Sequence, residues 1–131
     1  MNTQASYLLG IEGEKLAAMH LAGKGYRIVA RNYRFLRNEI DIVARDGDEL
    51  CFIEVKTRAS LDKGHPAEAV TIRKQKEIAR AAAGYLAGQE NPWQNCRFDV
   101  VTILAKRMDG PAIVEYELEH FKAAFMTGEG C

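Results

Sequence analysis

The sequence predicts an α/β domain in which a mixed β-sheet is flanked by helices. Three observations carry that expectation. Apolar residues recur with helical spacing over 5–22 and 71–86, and β-forming or alternating stretches lie over 26–33, 39–45 and 49–57. The resulting order is α-β-β-β-α-β with a β-α tail, and a helix inserted between strands is what a helix-covered mixed sheet requires. The chain has 131 residues, 47% hydrophobic and 27% charged. That suffices for one domain with a core of its own and excludes a disordered or fibrous protein.

The first helix is expected from about Ala5 to Ala22, with Ser6 or Thr3 as cap and Gly23-Lys24-Gly25 as stop. At 100° per residue, Leu9, Gly13, Leu16, Ala17, His20 and Leu21 share one broad face. Glu12 and Lys15 point away, and Glu14 falls at the edge. Tyr26 to Tyr33 is the first strand. Glu39 to Arg45 alternates, with Ile40, Ile42 and Ala44 on one side and Glu39, Asp41, Val43 and Arg45 on the other. Asp46-Gly47-Asp48 is a hairpin turn. In the third strand, Glu49 to Thr57, Cys51, Ile53 and Val55 share one face and Leu50, Phe52, Glu54 and Lys56 the other. A polar loop leads to a short helical turn at Pro66. The second main helix spans Thr71 to Leu86, with Arg73, Lys76, Glu77 and Arg80 outward and Gln75, Ile78, Ala79, Ala82, Tyr85 and Leu86 inward. Arg97 to Leu104 and Ile113 to Leu118 are further strands, and Phe121 to Phe125 is expected as a short terminal helix.

Charge and cysteine usage narrow the function. No apolar run reaches the ~18–20 residues of a membrane span, and no signal peptide is visible, so the expected compartment is the cytoplasm. The odd count of three cysteines, with no CxxC pair, argues against a disulfide framework and a Cys/His zinc site. Cys51 and Cys96 read as reduced core residues. The 18 basic and 18 acidic side chains cancel, which excludes a bulk polycation but not a basic patch. Lys24, Arg27, Arg31, Arg34 and Arg37 occur with no acid among them, and residues 56–80 are again basic. From Asp109 onward the chain is acidic.

The residues that carry chemistry lie on the second and third strands. Asp41 and the pair Glu54 and Lys56 have the parity to converge on one face of neighbouring strands ~4.8 Å apart. Two carboxylates held together repel, and Mg²⁺, a hard cation that takes oxygen ligands, relieves that repulsion. The main-chain carbonyl of Val55 supplies a further oxygen. Lys56 is placed to orient a water or to stabilise a phosphorane-like transition state. The competing reading is a cross-strand ion pair on a half-exposed sheet. Gln75 needs hydrogen bonds on its apolar helix face, either from nearby backbone or in the same site. No Gly-rich phosphate loop is present. His20 reads as a core histidine, His65 as a loop residue and His120 as lacking a partner motif. Glu115, Glu117 and Glu119 read as one solvent face. Trp93 and Tyr33 serve either packing or base stacking.

The segments GIEGEKLAAMHLAGKGYRIVARNYR, NEIDIVARDGDELCFIEVKTR, HPAEAVTIRKQKEIARAAAGYL and RFDVVTI closely resemble the bacterial YraN family in order and spacing. That family looks like a branch of the restriction-endonuclease-like PD-(D/E)xK superfamily and is similar to archaeal Holliday junction resolvases. The resemblance implies an αβββαβ core and a nuclease-type site. Asp41 matches the first motif aspartate, Glu54 the second acid, Lys56 the lysine and Glu14 the helical glutamate, with Gln75 a looser match on the following helix. Ile40 replaces the motif proline, and Asn38 stands where the family pattern has glycine. The leading expectation is a Mg²⁺- or Mn²⁺-dependent DNA endonuclease acting on branched or junction DNA. Asp41, Glu54 and Val55 would hold the metal. Arg31, Arg34, Arg37, Arg58, Arg73, Lys76 and Arg80 would hold phosphates, and a homodimer would present two sites. The alternative is a catalytically silent nucleic-acid-binding or assembly module on the same fold.

Overall fold

A computed structural model describes residues 3–92 and 94–126; Trp93 and Cys131 lie outside them. Helix α1 (Thr3–Gly23) is followed by strands β1 (Arg27–Phe35), β2 (Asn38–Asp46) and β3 (Glu49–Arg58). A 3₁₀ turn (Pro66–Ala69), helix α2 (Ile72–Ala87), β4 (Cys96–Asp109) and β5 (Ala112–Phe125) complete the order. The five strands form one sheet, β1-β2-β3-β4-β5. β3 and β4 are parallel, and the other three neighbour pairs are antiparallel. A parallel pair needs a crossover connection, and the 3₁₀ turn with α2 supplies it. The mixed, helix-flanked sheet is consistent with a restriction-endonuclease-like fold.

Local chemistry sets the boundaries. Thr71 caps α2, its side chain accepting from Lys74 N at 3.2 Å. His65 caps the 3₁₀ turn, its Nδ1 accepting from Ala67 N at 3.1 Å, and Pro66 opens that turn. Gly47 turns the β2–β3 hairpin at φ 60°, a conformation that favours glycine.

The sheet has an apolar layer on each face. On the α1 side, Ala17, Leu21 and Tyr26 pack with Ile42, Ala44, Cys51, Ile53, Val55, Val101 and Ile103. On the α2 side, Ile78, Ala81, Ala82 and Leu86 pack with Ile40, Val43, Leu50, Phe52 and Phe98. β3 therefore alternates as expected, whereas β2 does not. Ile40 belongs to the α2-side layer, while Ile42 and Ala44 belong to the other. The alternation breaks at Asp41.

Two further expectations are corrected. Residues 121–125 are not a helix but the end of β5. Phe98 pairs with Phe125 and Val100 with Phe121 across an irregularity, and Ala123 sits there at φ 49°. The irregularity is held because Ala123 N donates to Asp99 Oδ1 at 2.9 Å. Phe125 stacks on Phe98 with ring centroids 5.0 Å apart. Cys51 is buried and free, its thiol pushed up to about 12 by burial. Cys96, by contrast, is disulfide-bonded. Among the described residues no helix is long and apolar enough to cross a membrane.

Candidate active site

The registered pairing of β2 with β3 runs from Asp46↔Glu49 to Ile42↔Ile53. Beyond that point a side chain takes over. Asp41 Oδ2 accepts from Val55 N at 2.7 Å, so Asp41 is anchored to the strand that carries Glu54. β2 meanwhile stays paired with β1 through Ile42↔Arg31 and Ile40↔Tyr33. The chain is thus held on one edge and released on the other, which accounts for the broken alternation at Asp41.

Glu54 is 3% exposed. Its Oε1 lies 3.4 Å from Lys56 Nζ and 3.8 Å from Lys74 Nζ. Burial, and next the Asp41 carboxylate, raise Glu54 to about 7 despite both ammonium groups. Asp41 is raised too, by burial above all, although its hydrogen bond from Val55 N opposes the shift. The two carboxylates are therefore held where neither ionises easily beside the other.

Helix α1 brings a third acid. Gly13 is buried against Thr57 of β3, and a Cβ on Gly13 would collide with Thr57 Oγ1. The missing side chain lets the helix approach the sheet, and Glu14 follows at the margin of that contact. Glu14 is raised to about 7, first by burial and next by Asp41. The Asn32 amide, with its nitrogen facing the acids, donates to Glu14 Oε1 at 2.9 Å and Glu39 Oε1 at 3.1 Å. Asn32 itself adopts φ 52°, a conformation Asn tolerates better than most residues.

The donors suit a hard divalent cation in kind: carboxylate oxygens from Asp41 and Glu54, both raised although Lys56 and Lys74 oppose the shift. Among the described residues no three His, Cys, Asp or Glu side chains form a ready-made cage. A cation here would rely on main-chain oxygen and water to fill its shell, as Mg²⁺ commonly does.

Asp41, Glu54, Lys56 and Glu14 are thus brought into one neighbourhood. Val55 contributes its N–H to Asp41. Gln75 donates from Nε2 to Val70 O at 3.2 Å, so backbone satisfies part of its amide. The proposed phosphate contacts lie in two groups. Arg31, Arg34 and Arg37 are exposed on the β1–β2 hairpin, with Arg34 Nη2 3.3 Å from Glu39 Oε2. Arg73, Lys76 and Arg80 are exposed on α2, with Arg73 Nε 3.6 Å from Glu77 Oε1. Arg58 ends β3 half-buried, its Nε enclosed and without a partner among the described residues.

Sequence reasoning missed Lys74, Asn32 and Glu39. Lys74 had a signal: it lies one helical turn before the buried Ile78, on the inward side, where an ammonium needs a carboxylate. It also missed a second polar network, remote in sequence from the acid cluster. Asp99 is fully buried and accepts from Arg97 Nε at 3.1 Å, and its Oδ2 lies 2.8 Å from His120 Nε2. Arg97 further reaches Asp46, Glu49 and Tyr26 at 2.8–3.0 Å. Burial pushes Asp99 up, but the bonds from His120, Arg97 and Ala123 N prevail and hold it below the ordinary range. This network ties β2, β3, β4 and β5 together. His120, with no partner visible in its sequence neighbourhood, finds it across the strands.

The model of the "Uncharacterised protein family UPF0102" matches residues 13–103, from Gly13 into the middle of β4. A UPF0102 protein of Chlorobaculum tepidum is 72% identical over 121 residues, covering 92% of this chain and 94% of that one. A relative from Chlorobaculum parvum is 65% identical over the same shares. One from Nocardia farcinica is 48% identical over 89% of this chain and 88% of its own. The resemblance to the YraN family is borne out, and the chain belongs to the UPF0102 (YraN) family.

Proposed function

We propose that this protein is a metal-dependent endonuclease that hydrolyses phosphodiester bonds in branched or junction DNA. The supporting observation is the pair of carboxylates, half-buried Asp41 and buried Glu54, both raised, with Lys56 Nζ 3.4 Å from Glu54. Asp41, Glu54 and the carbonyl of Val55 would hold Mg²⁺ or Mn²⁺. Bound there, such a cation would polarise the phosphodiester and acidify a water. Lys56 would orient the attacking water and offset charge developing on the phosphate. Glu14, poised near neutrality, would complete the acid cluster as a proton acceptor. Gln75 would use its amide oxygen to position substrate. The basic side chains of β1, β2's approach and α2 would meet the phosphates on either side.

A two-fold junction needs two cuts, and one chain offers one site, so the acting form would be a homodimer. Phe125 stacks on Phe98, and Phe121 lies edge-on to His65 at 6.4 Å. These rings pack on their own chain and stay half-exposed. The proposed setting is the cytoplasm.

A second reading is a nucleic-acid-binding or assembly module that cuts nothing. Lys56 and Lys74 favour it, because they partly neutralise Glu54 without a metal. A cleavage screen on junctions, flaps, single strands and duplexes, with Mg²⁺ and Mn²⁺, separates the two. The endonuclease reading expects cutting that is lost in Lys56→Ala and Glu54→Gln while binding persists. Binding without cutting under every condition would establish the silent module instead.

A further inference from the structure

We propose that the tip of the β1–β2 hairpin and the groove beside it bind an unstacked nucleobase, with Leu36 as the wedge. The inference rests on the nucleic-acid reading above and adds a substrate feature. The base step that is read must already be open, as at a branch, a flap or a single-stranded gap.

The first observation is a strained apolar residue on display. Leu36 and Arg37 link Phe35 to its partner Asn38. Of these two turn residues only Leu36 has positive φ, at 55°. That is the pattern of a type II′ turn, whose first central position normally takes glycine. A leucine there is costly, and at 80% exposure it gains little from burial in return. Strain of this kind persists only where the surroundings enforce it, and it clusters at ligand-binding features.

The surroundings do enforce it. The Phe35 ring lies on Gly84 of α2, where a Cβ would collide with it. Tyr33 and Tyr85 brace the same hairpin with ring centroids 5.2 Å apart, edge to face. The hairpin is fixed to the helix, and Leu36 projects from a rigid mount.

The second observation is the groove. A cavity of about 680 Å³ opens between the hairpin tip and α2. Phe35, Leu36 and Ile72 supply apolar wall, and Lys76 and Arg80 stand on the same lining. Ile72 is 65% exposed. Arg37, Lys76 and Arg80 pair with no carboxylate among the described residues, whereas Arg34 and Arg73 are each engaged by a glutamate. An apolar slot rimmed by free cations suits a planar base with phosphates on either side better than an apolar peptide or another apolar surface. Apolar side chains inserted between base steps are a known means of holding kinked or opened DNA.

The third observation is position. Lys74 reaches Glu54 and the adjacent Gln75 lines the groove. Asn38, on the same lining, is three residues before Asp41 in β2. A base held at the tip would direct its backbone along the hairpin toward the acid cluster, with Asp41 five residues from Leu36, ~17 Å of extended strand.

The test uses a four-way junction and a duplex of matching sequence, with 2-aminopurine at the branch, in EDTA so that binding is read without cleavage. Wild-type protein should bind the junction in preference to the duplex and raise the 2-aminopurine fluorescence. Leu36→Gly should lower junction affinity by about 5-fold or more, the low end of what one base stacked on an aromatic ring contributes, and abolish the fluorescence rise. It should leave duplex affinity unchanged. Because glycine relieves the turn, Leu36→Gly should fold at least as stably as wild type in urea, and Leu36→Ala, which keeps the strain, should lose junction affinity equally. Junction binding and fluorescence unchanged in both variants would overturn the wedge and leave the nucleic-acid reading standing. A wild-type protein that binds neither DNA would remove both. Self-association of the wild type that Leu36→Gly abolishes, with DNA binding unaffected, would give the groove to a second copy and overturn the proposal.

Discussion

Glu54→Gln tests whether the acid pair is a loaded site or a structural ion pair. Burial, together with Asp41, lifts Glu54 from an ordinary 4.5 to about 7. Folded Glu54 therefore keeps its proton through a range of pH in which the unfolded carboxyl has lost its own. Over that range the folded state binds more protons, so stability falls as pH rises from 4.5 through about 7. At 1.36 kcal/mol per pH unit of displacement, the metal-free protein should lose on the order of 3 kcal/mol. Glu14, raised to about 7, and Asp41, also raised, act in the same direction. Glutamine keeps the shape of Glu54 and carries no charge. The variant should therefore show a flatter pH dependence and, in EDTA at about pH 8.5, exceed wild type by ~1–3 kcal/mol. The attraction of Lys56 and Lys74 is already contained in that rise, because both oppose it. Urea denaturation near pH 5 and near pH 8.5 measures the difference. A variant less stable than wild type at the higher pH would mean that the lysine pairs outweigh the acid–acid repulsion and that the cluster is structural.

Four further outcomes follow from the same geometry. Calorimetric titration with Mn²⁺ should show a site in the wild type that Asp41→Ala abolishes; an unchanged isotherm would remove the metal assignment. Gly13→Ala, which forces a Cβ into Thr57, should lower stability by about 1–3 kcal/mol through overpacking, and an unchanged urea midpoint would show that α1 does not need this close approach. Asp99→Asn strips the charge from a fully buried partner of Arg97 and His120 and should cost about 3–5 kcal/mol; a loss below ~1 kcal/mol would mean the network is dispensable to the fold. If Arg31, Arg34, Arg73 and Arg80 meet phosphates, DNA affinity should fall with salt by ~0.9 log units per log unit for each phosphate neutralised, and a flat response would exclude these patches as the DNA surface.

The sequence was most legible where one local rule acted alone. Thr71 before a helical pattern, Asp46-Gly47 between strands and Pro66 after a polar loop each marked a boundary the structure keeps. It misled where a strand irregularity imitated helical spacing. Phe121 and Phe125 are four apart, the interval of one helical turn. In β5 the irregularity at Ala123 lets those four residues advance opposite only two of β4, from Val100 to Phe98. Both rings thus meet the partner strand, and spacing alone does not separate the two cases. Asp99 and His120 were illegible for a related reason. Twenty-one residues separate them, and only the β4–β5 register brings them to 2.8 Å.

Residues that break local rules gather around the acid cluster and the hairpin that borders it. Gly13 stands inside a helix, where a glycine costs about 1 kcal/mol against alanine, and it does so where α1 must touch Thr57. Asn32 and Leu36 hold positive φ on the hairpin that carries Asp41's strand. Ile40 crosses to the other layer just before Asp41. Glu54 is buried beside a second carboxylate. These departures lie on β1–β3 and the facing sides of α1 and α2, while the irregularity of β4 with β5 at Ala123 is held by the buried and fully bonded Asp99. The departures converge at the point where β2 leaves β3, the place where the proposed function needs them. Asp41 has two tasks there: its carboxylate replaces the lost strand partner for Val55 N, and after burial its charge contributes most to raising both Glu14 and Glu54. Removing that charge while keeping the hydrogen bond should lower both neighbours toward the ordinary carboxylate range, whereas a site built only to close the sheet would need no acid at that position.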